Sequence, residues 1–333
     1  MTVALRSADT PDSMAPNRID AAEVARLTAG MPVVTPWSGT VEAGRGVNFL
    51  GVLTPHDPND KRPAREVTKQ VPVVADGEGF SEWISTGHAI ARAKKRFTMV
   101  SLGAHYGGPM VNAVHLLRAL QPLPYRLVGV EGDPNMCAMV ADHFTDNHVS
   151  MAALTLINAV VGPDNKPVIF PCTTTRTGAN AAISDGPAID TLVESIRAAG
   201  HTEQAFASLL RNGTTGLFAT LNGTDVQAEL RLMSSVTLGD ILGPLDHVDY
   251  LEIDIQSAEY AALPPYIDLM ARRVGWIHLG THGQGVHDAM ADMFRIHGFR
   301  IEIDWNPETT YETPDGSFTT QDGVLAVANP KFD

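Results

Sequence analysis

A glycine-rich turn follows the strand-like stretch FTMVSL and holds three glycines within six positions: Gly103, Gly107 and Gly108. Turns of this kind between a strand and a helix hold nucleotides in many α/β proteins. The dinucleotide pattern G-x-G-x-x-G fits at Gly103 and Gly108, but His105 occupies its middle position, where a side chain would crowd a pyrophosphate. The P-loop pattern fails because Pro109 follows Gly108. Neither phosphate-binding pattern is met.

A carboxylate ends the next strand-like stretch, YRLVGVE, at Glu131. At that position it can accept hydrogen bonds from both hydroxyls of a ribose. S-adenosylmethionine carries a ribose, a carboxylate and an ammonium but no phosphate. We therefore predict that it is the ligand of the turn. A strand-to-helix turn without any ligand is the alternative.

Acidic and histidine side chains end two later strand-like stretches. Asp254 follows VDYLEI, with Glu252 two residues earlier on the same strand face, and His282 follows VGWIHLGT. A transfer of the ligand's methyl group to an oxygen would require an acceptor held against the methyl carbon and a group that takes its proton. We predict that Asp254 is a base or orients the acceptor, and that His282, with an ordinary pKa near 6.5, takes the proton. Glu259 is a third catalytic candidate.

Each of these residues also has a structural alternative. Asp254 can cap the following helix, and Glu259 can be favoured in the first helical turn by the helix dipole. Asp254, His282 and His287 form an alternative metal site. Their spacing matches no metal motif, so we expect that no divalent metal is needed.

Strand-like and helical stretches alternate from about residue 97 onward, which predicts a parallel sheet covered by helices on both faces. Among these stretches we expect one strand over LTLINAVVG and one helix over SAEYAALPPYIDLM. The last two strand candidates have no helix between them and are expected to be antiparallel. We predict an N-terminal extension over residues 1–78, with short strands and a helix, and a main domain over 79–333. A long irregular segment at about 172–235 interrupts the main domain. It contains one helix, AIDTLVESIRAAG, and a polar loop over 172–186 in which Arg176 can hold an acidic acceptor; a plain surface loop is the alternative.

Composition excludes several classes of protein. The chain has 333 residues, 44% of them apolar, and a net charge of −14, which disfavours a nucleic-acid partner. Two cysteines make no disulfide framework, and no apolar run approaches the roughly 20 residues of a membrane span. The N-terminus lacks the apolar core of a signal peptide. We expect a soluble cytoplasmic protein; its oligomeric state is not predicted.

Several segments, in this order, resemble the FkbM-type family of S-adenosylmethionine-dependent methyltransferases. They are FSEW, FTMVSLGAHYG, VGVEGDP, LINAVVG, VDYLEIDIQSAEYAAL and IHLGTHG, and together they cover roughly residues 79–330. The resemblance implies a class I methyltransferase fold, Rossmann-like, with a mixed seven-stranded sheet. It also implies S-adenosylmethionine as cofactor. The cofactor-binding residues that it indicates are Ser101, Gly103, Ala104, His105, Tyr106, Gly107, Glu131, Gly132, Asp133, Asn158, Ala159 and Asp254.

Three positions depart from the family pattern. Ser101 stands where the family has an acidic residue, which would pair with the ammonium of the cofactor, and His105 stands where it has a small one. Ser257 replaces the glycine of a G-A-E turn.

The resemblance implies O-methylation of a hydroxyl on a sugar, glycan or secondary metabolite, with a small-molecule or glycan acceptor as the partner. The departures motivate a second hypothesis, a non-catalytic or altered member that binds cofactor or glycan in a carbohydrate-assembly system. A third, an NAD-dependent oxidoreductase, is disfavoured by His105.

Overall fold

The computed structural model describes residues 17–31, 33–57, 59–173, 214–221 and 224–333. The strands are, in chain order, β1 (Asn17–Arg18), β2 (Ser38–Val41), β3 (Arg65–Thr68), β4 (Phe97–Leu102), β5 (Tyr125–Glu131), β6 (Leu154–Asn158), β7 (Val160–Val161), β8 (Val168–Thr173), β9 (Thr214–Leu221), β10 (Thr224–Met233), β11 (Ser235–Val236), β12 (Val248–Ile253), β13 (Val274–Thr281), β14 (Arg300–Trp305), β15 (Thr310–Thr313), β16 (Gly316–Thr319) and β17 (Gly323–Ala328). The α-helices are α1 (Ala21–Thr28), α2 (Glu78–Arg92), α3 (Gly108–Leu120), α4 (Pro134–Asp146), α5 (Leu238–Leu242), α6 (Glu259–Ala262), α7 (Ile267–Arg273) and α8 (Gln284–Ile296).

Seven strands form the central sheet in the order β14-β17-β13-β12-β4-β5-β6. The five strands from β13 to β6 are parallel, whereas β17 is antiparallel to both of its neighbours, β13 and β14. Helices cover both faces of the sheet. This is the class I, Rossmann-like methyltransferase fold, and the predicted fold class is confirmed.

Two hydrophobic clusters, one on each face of the sheet, explain the apolar strands. On β12, Tyr250 packs into the cluster with α2 and α3, while Leu251 and Ile253 pack into the cluster with α5, α7 and α8. Alternate side chains point to opposite faces, so a strand covered on both sides needs apolar residues at successive positions. Every residue of β4 and of β12 is buried.

The N-terminal extension packs against the same cluster as α2. Ile19, Leu27, Val34 and Val52 belong to that cluster together with Phe80. α1 begins where the sequence suggests, with the Asp20 carboxylate accepting the Glu23 N–H at 2.9 Å. Within the extension β2 pairs with β3, and β1 joins β15 and β16 of the main domain in a three-stranded sheet.

Three elements differ from the sequence prediction. The stretch LTLINAVVG forms two strands, because β7 leaves the central sheet and pairs with β11. The helix expected over SAEYAALPPYIDLM is divided into α6, a short 3-10 helix at Pro264–Tyr266, and α7, since consecutive prolines cannot continue a helix. The turn-rich stretch before β17 contains the hairpin of β15 and β16.

The segment expected to be irregular at about 172–235 includes strand structure. β8, β9 and β10 form a three-stranded antiparallel sheet with β10 in the centre. The predicted helix at 188–200 and Arg176 lie outside the described residues, as does the polar loop at 172–186 apart from its first two positions.

No helix in the described ranges is both long enough and apolar enough to span a lipid bilayer.

Gly103 lies where the turn after β4 crosses the end of β12. A Cβ atom at this position would be 1.8 Å from the backbone oxygen of Asp254, and the φ angle is +81°. We expect Gly103→Ala to destabilise the protein by about 2–4 kcal/mol, combining a backbone penalty with overpacking, as measured by urea denaturation.

Gly30→Ala is the matched control, because Gly30 has φ +75° and no atom within 4 Å of an added Cβ. Gly30→Ala should lower the free energy of unfolding by only the penalty for a positive φ angle, about 1 kcal/mol. Equal losses for the two variants would show that the close approach to Asp254 is unimportant.

Candidate functional site

The cofactor turn is held by the neighbouring strand β5. The backbone N–H groups of Gly103 and Ala104 both donate to the carbonyl of Val130 at 2.9 Å. The His105 N–H donates to Glu131 Oε2 at 2.7 Å, and His105 itself has a positive φ of 51°. The turn therefore follows the end of β5 closely, and its conformation depends on Glu131.

Glu131 is buried at the tip of β5, with 7% of its surface exposed. Its second oxygen, Oε1, accepts the N–H of Asp133 at 2.6 Å. Burial raises the pKa of Glu131 to about 7, against the opposing effect of these two backbone hydrogen bonds. Each carboxylate oxygen has a second lone pair, so two ribose hydroxyls can still be accepted.

The end of β6 and the residue that follows it lie beside Glu131, at the same edge of the central sheet. Asn158 donates its side-chain amide to the carbonyls of Glu131 and Gly132, at 2.8 and 3.2 Å, and Ala159 beside it is buried. Asp133 caps α4 by accepting the N–H of Asn135 at 2.8 Å. The residues predicted for the ribose and adenine side thus form one continuous edge.

Ser101 lies beneath the turn and contacts a carboxylate that belongs to the next strand. Its hydroxyl donates to Glu252 Oε2 at 2.5 Å, and the two residues are register partners on β4 and β12. Glu252 is 7% exposed, and burial raises its pKa well above the usual value. An acidic group therefore stands beside the position where the family pattern has its own.

Two further carboxylates face this region from α2. Glu78 and Glu82 are four residues apart and so lie on one face of the helix. Burial and the neighbouring carboxylates of Glu78 and Asp254 raise the pKa of Glu82 to about 7. Neither residue was predicted from the sequence, although an i, i+4 pair of acidic residues on the helix before the cofactor strand was a detectable signal.

The three predicted catalytic residues converge at the ends of β12 and β13. The His282 Nδ1 lies 3.1 Å from Glu259 Oε1, and its Nε2 lies 3.3 Å from Asp254 Oδ1, at ion-pair distance but outside hydrogen-bond geometry. Glu259 is fully buried and also accepts the Ile255 N–H at 3.2 Å. The side chain of Asp254 is 49% exposed, so it is the member of the array that an acceptor can reach.

This arrangement changes the role predicted for His282. Burial opposes its charge, but Asp254 and Glu259 outweigh that effect and raise the pKa of His282 to about 10. The Ser257 N–H also lies 3.2 Å from Nδ1 and would favour a neutral ring, yet one amide dipole is weaker than two carboxylates. A pKa of about 10 favours the imidazolium at neutral pH, which argues against the proton-accepting role predicted for His282.

The imidazolium acts in turn on Asp254. Burial would raise the pKa of Asp254, but His282 and Gln256 hold it below the usual value. Asp254 is consequently the ionised, solvent-facing group of the array.

The remaining candidates lie apart from this array. Both ring nitrogens of His287 are engaged, Nδ1 with Thr281 Oγ1 at 2.8 Å and Nε2 with Asp304 Oδ1 at 2.9 Å, so it does not join Asp254 and His282. In the described part of the chain, no group of His, Cys, Asp and Glu side chains is placed to hold a metal ion. The Tyr106 ring packs against His105 and His143, with centroids 4.7 and 5.0 Å away.

No protein-family model matches the chain, and no curated protein sequence matches it. A structure of methyltransferase FkbM from Methylobacillus flagellatus is similar at 12% identity and a TM-score of 0.39, over 71% of this chain but only 44% of that one. The chain thus spans less than half the length of that protein.

Two further structures are similar over most of their own length. A precorrin-6Y C5,15-methyltransferase from Geobacter metallireducens has 12% identity and a TM-score of 0.37, covering 78% of this chain and 92% of that one. A ribosomal protein L11 methylase from Lactobacillus delbrueckii has 9% identity and a TM-score of 0.34, covering 75% and 79%. Identities this low say nothing about the substrate of the present chain.

The raised pKa of Glu82 generates a prediction about stability. A carboxyl group whose pKa rises from 4.5 to about 7 on folding stabilises the native state at low pH, and this contribution is lost as the pH rises toward 7. Glu82→Gln should therefore stabilise the protein at pH 8 by about 1–2 kcal/mol, and by much less at pH 4.5, in urea denaturation.

The control is Glu42→Gln, since the Glu42 side chain is 82% exposed. It should change stability by less than about 0.5 kcal/mol at either pH. A Glu82→Gln protein that is no more stable than wild type at pH 8 would show that folding does not raise the pKa of Glu82.

Proposed function

We propose that this protein is an S-adenosylmethionine-dependent methyltransferase that transfers a methyl group to a hydroxyl oxygen. The observation that carries the proposal is the array of Glu259, His282 and Asp254. It stands at the same sheet edge as the glycine turn and Glu131. An ionised, exposed carboxylate beside a predicted methyl-donor site suits O-methylation, because it can accept the proton that the acceptor hydroxyl loses.

The residues at the carboxyl ends of β4, β5 and β6 fit S-adenosylmethionine. Glu131 would hold the ribose, Asn158 and Ala159 would lie on the adenine side, and the turn from Gly103 to Gly107 would lie against the methionine end. When bound, S-adenosylmethionine supplies an electrophilic methyl group. It supplies no base, so the chain itself must handle the proton of the acceptor.

Asp254 performs that task in the proposed mechanism. Its carboxylate accepts a hydrogen bond from the acceptor hydroxyl and so orients the oxygen. An oxygen that gains a methyl group becomes strongly acidic, so a carboxylate with a low pKa is a sufficient proton acceptor. His282 holds Asp254 ionised, and the buried Glu259 holds His282 protonated.

We further propose a small-molecule or glycan acceptor of the kind methylated by FkbM-type enzymes, and a cytoplasmic location. The net charge of −14 supports an acceptor other than a nucleic acid. Free thiols at Cys137 and Cys172 are compatible with a reducing compartment.

Cofactor binding tests this proposal directly. By calorimetry, wild-type protein should bind S-adenosylhomocysteine and not NAD. Glu131→Gln should weaken that binding about 10–150-fold, because a hydrogen bond to a charged group contributes about 1.5–3 kcal/mol. Glu42→Gln, the exposed control, should bind like wild type. Preference for NAD would favour an oxidoreductase instead.

A transfer assay with labelled S-adenosylmethionine and a panel of hydroxyl acceptors separates an enzyme from a non-catalytic binder. Asp254→Asn should keep its affinity for S-adenosylhomocysteine but lose about 10²–10⁴ in rate. Binding without transfer to any acceptor would favour the non-catalytic alternative.

The protonation of His282 is open to NMR measurement on histidine-labelled protein. Its ring resonances should stay those of an imidazolium from pH 6 to 8.5, because its pKa is about 10. In Asp254→Asn the loss of one carboxylate should bring the titration to lower pH. His282→Gln assigns the signal by deleting it. A titration near pH 6.5 in wild type would restore His282 as the proton acceptor.

A further inference from the structure

A cavity of about 220 Å³ lies between the N-terminal extension, α2, α3 and β12. The extension contributes Asn48, Phe49 and Leu50 to its wall. The volume is below the roughly 300–1,000 Å³ of pockets for drug-sized ligands, so the cavity suits one functional group with a short carbon chain. The array at Asp254 does not account for this cavity.

Two carboxylates line the cavity without a basic counterpart. Glu82 and Glu252 both contribute to the wall, whereas no Lys, Arg or His of the described chain does. The groups whose charge acts on the two are other carboxylates, those of Glu78 and Asp254. Carboxylates removed from water with no cation beside them are costly to ionise, so a cationic group in this cavity would be favoured.

The aromatic wall gives a second, independent indication of a ligand. The rings of Phe49 and Trp83 both line the cavity and meet edge to face, with centroids 6.1 Å apart. The indole N–H of Trp83 is buried and has no hydrogen-bond acceptor among the residues that the structure describes. Buried indole donors usually have a partner, and aromatic faces attract cations.

The cavity adjoins the proposed methyl-transfer edge through β12. Glu252 precedes Asp254 by two residues on the same strand face, roughly 7 Å deeper. Its Oε2 is held by Ser101, which fixes the side chain between the cavity and the cofactor turn. A group bound at Glu252 would therefore belong to a molecule that reaches the reaction edge.

We propose that this cavity is a binding site for a ligand ammonium group, with Glu252 and Glu82 as its counter-charges. Phe49 and Trp83 form the wall around the cation, and the Trp83 N–H is available to an oxygen of the same ligand. Resting on the proposed function, the ammonium has two sources: the methionine end of the methyl donor, or an amine on the acceptor.

The experiment distinguishes the sources by binding to wild type, Glu252→Gln, Glu82→Gln and the control Glu42→Gln. The first pair of probes is S-adenosylhomocysteine, which carries the ammonium, and 5′-methylthioadenosine, which lacks the amino-acid end. The second pair, followed by thermal shift in protein saturated with S-adenosylhomocysteine, is ethylammonium chloride against potassium chloride at equal concentration.

If the donor supplies the ammonium, Glu252→Gln weakens S-adenosylhomocysteine about 10–100-fold and leaves 5′-methylthioadenosine unchanged. Binding of S-adenosylhomocysteine to wild type should then also release protons, seen as a dependence of the calorimetric heat on buffer ionisation. If the acceptor supplies it, only ethylammonium stabilises wild type, and the effect disappears in Glu82→Gln.

Equal behaviour of wild type, Glu252→Gln and Glu82→Gln toward both pairs of probes would overturn the proposal. Glu82→Gln guards against a folding defect in the more buried Glu252→Gln. Wild-type protein that binds neither adenosine compound would refute the proposed function instead, and the ethylammonium arm without S-adenosylhomocysteine would then decide the cavity by itself.

Discussion

The contact between the turn after β4 and the end of β12 is the constraint on which the candidate site depends. The Asp254 N–H donates to the Leu102 carbonyl at 2.9 Å, and the Asp254 carbonyl lies where a Cβ of residue 103 would be. Only glycine allows the two strand ends to approach so closely. The same contact sets the distance between the cofactor turn and the exposed Asp254 carboxylate, so cofactor and acceptor positions are fixed by one packing detail.

Around this contact the chain gathers acidic side chains. Glu131, Glu252, Glu82 and Asp254 all lie near the turn, and burial raises the pKa of the first three. Asp254 alone has a lowered pKa, because the imidazolium of His282 neighbours it. Such a region is poorly suited to phosphate and well suited to a cation. The failure of both phosphate patterns in the sequence agrees with the electrostatics of the folded site.

Much of the fold was predictable, because apolar strands alternating with helices admit few arrangements. The sequence also indicated Gly103, Glu131, Asp254 and His282 from their positions at strand ends, since parallel strands bring those ends together. It did not indicate the protonation of His282, which depends on the buried Glu259 packing from the next helix. Nor did it indicate Glu82 and the cavity wall at Phe49, because those contacts join the extension to α2 and have no local pattern.

Ser101 and Ser257, two of the three departures noted in the sequence, each contact a residue of the candidate site. Ser101 lacks the expected carboxylate, but its hydroxyl holds Glu252 from the neighbouring strand beside it. Ser257 replaces glycine while keeping a left-handed φ of 74°, a conformation that costs a serine about 1–2 kcal/mol. That conformation brings the Ser257 N–H to His282, whose ring links Asp254 to Glu259. The strained backbone at Ser257 and the hydroxyl of Ser101 therefore both help to position the ionisable side chains on which the proposed function rests.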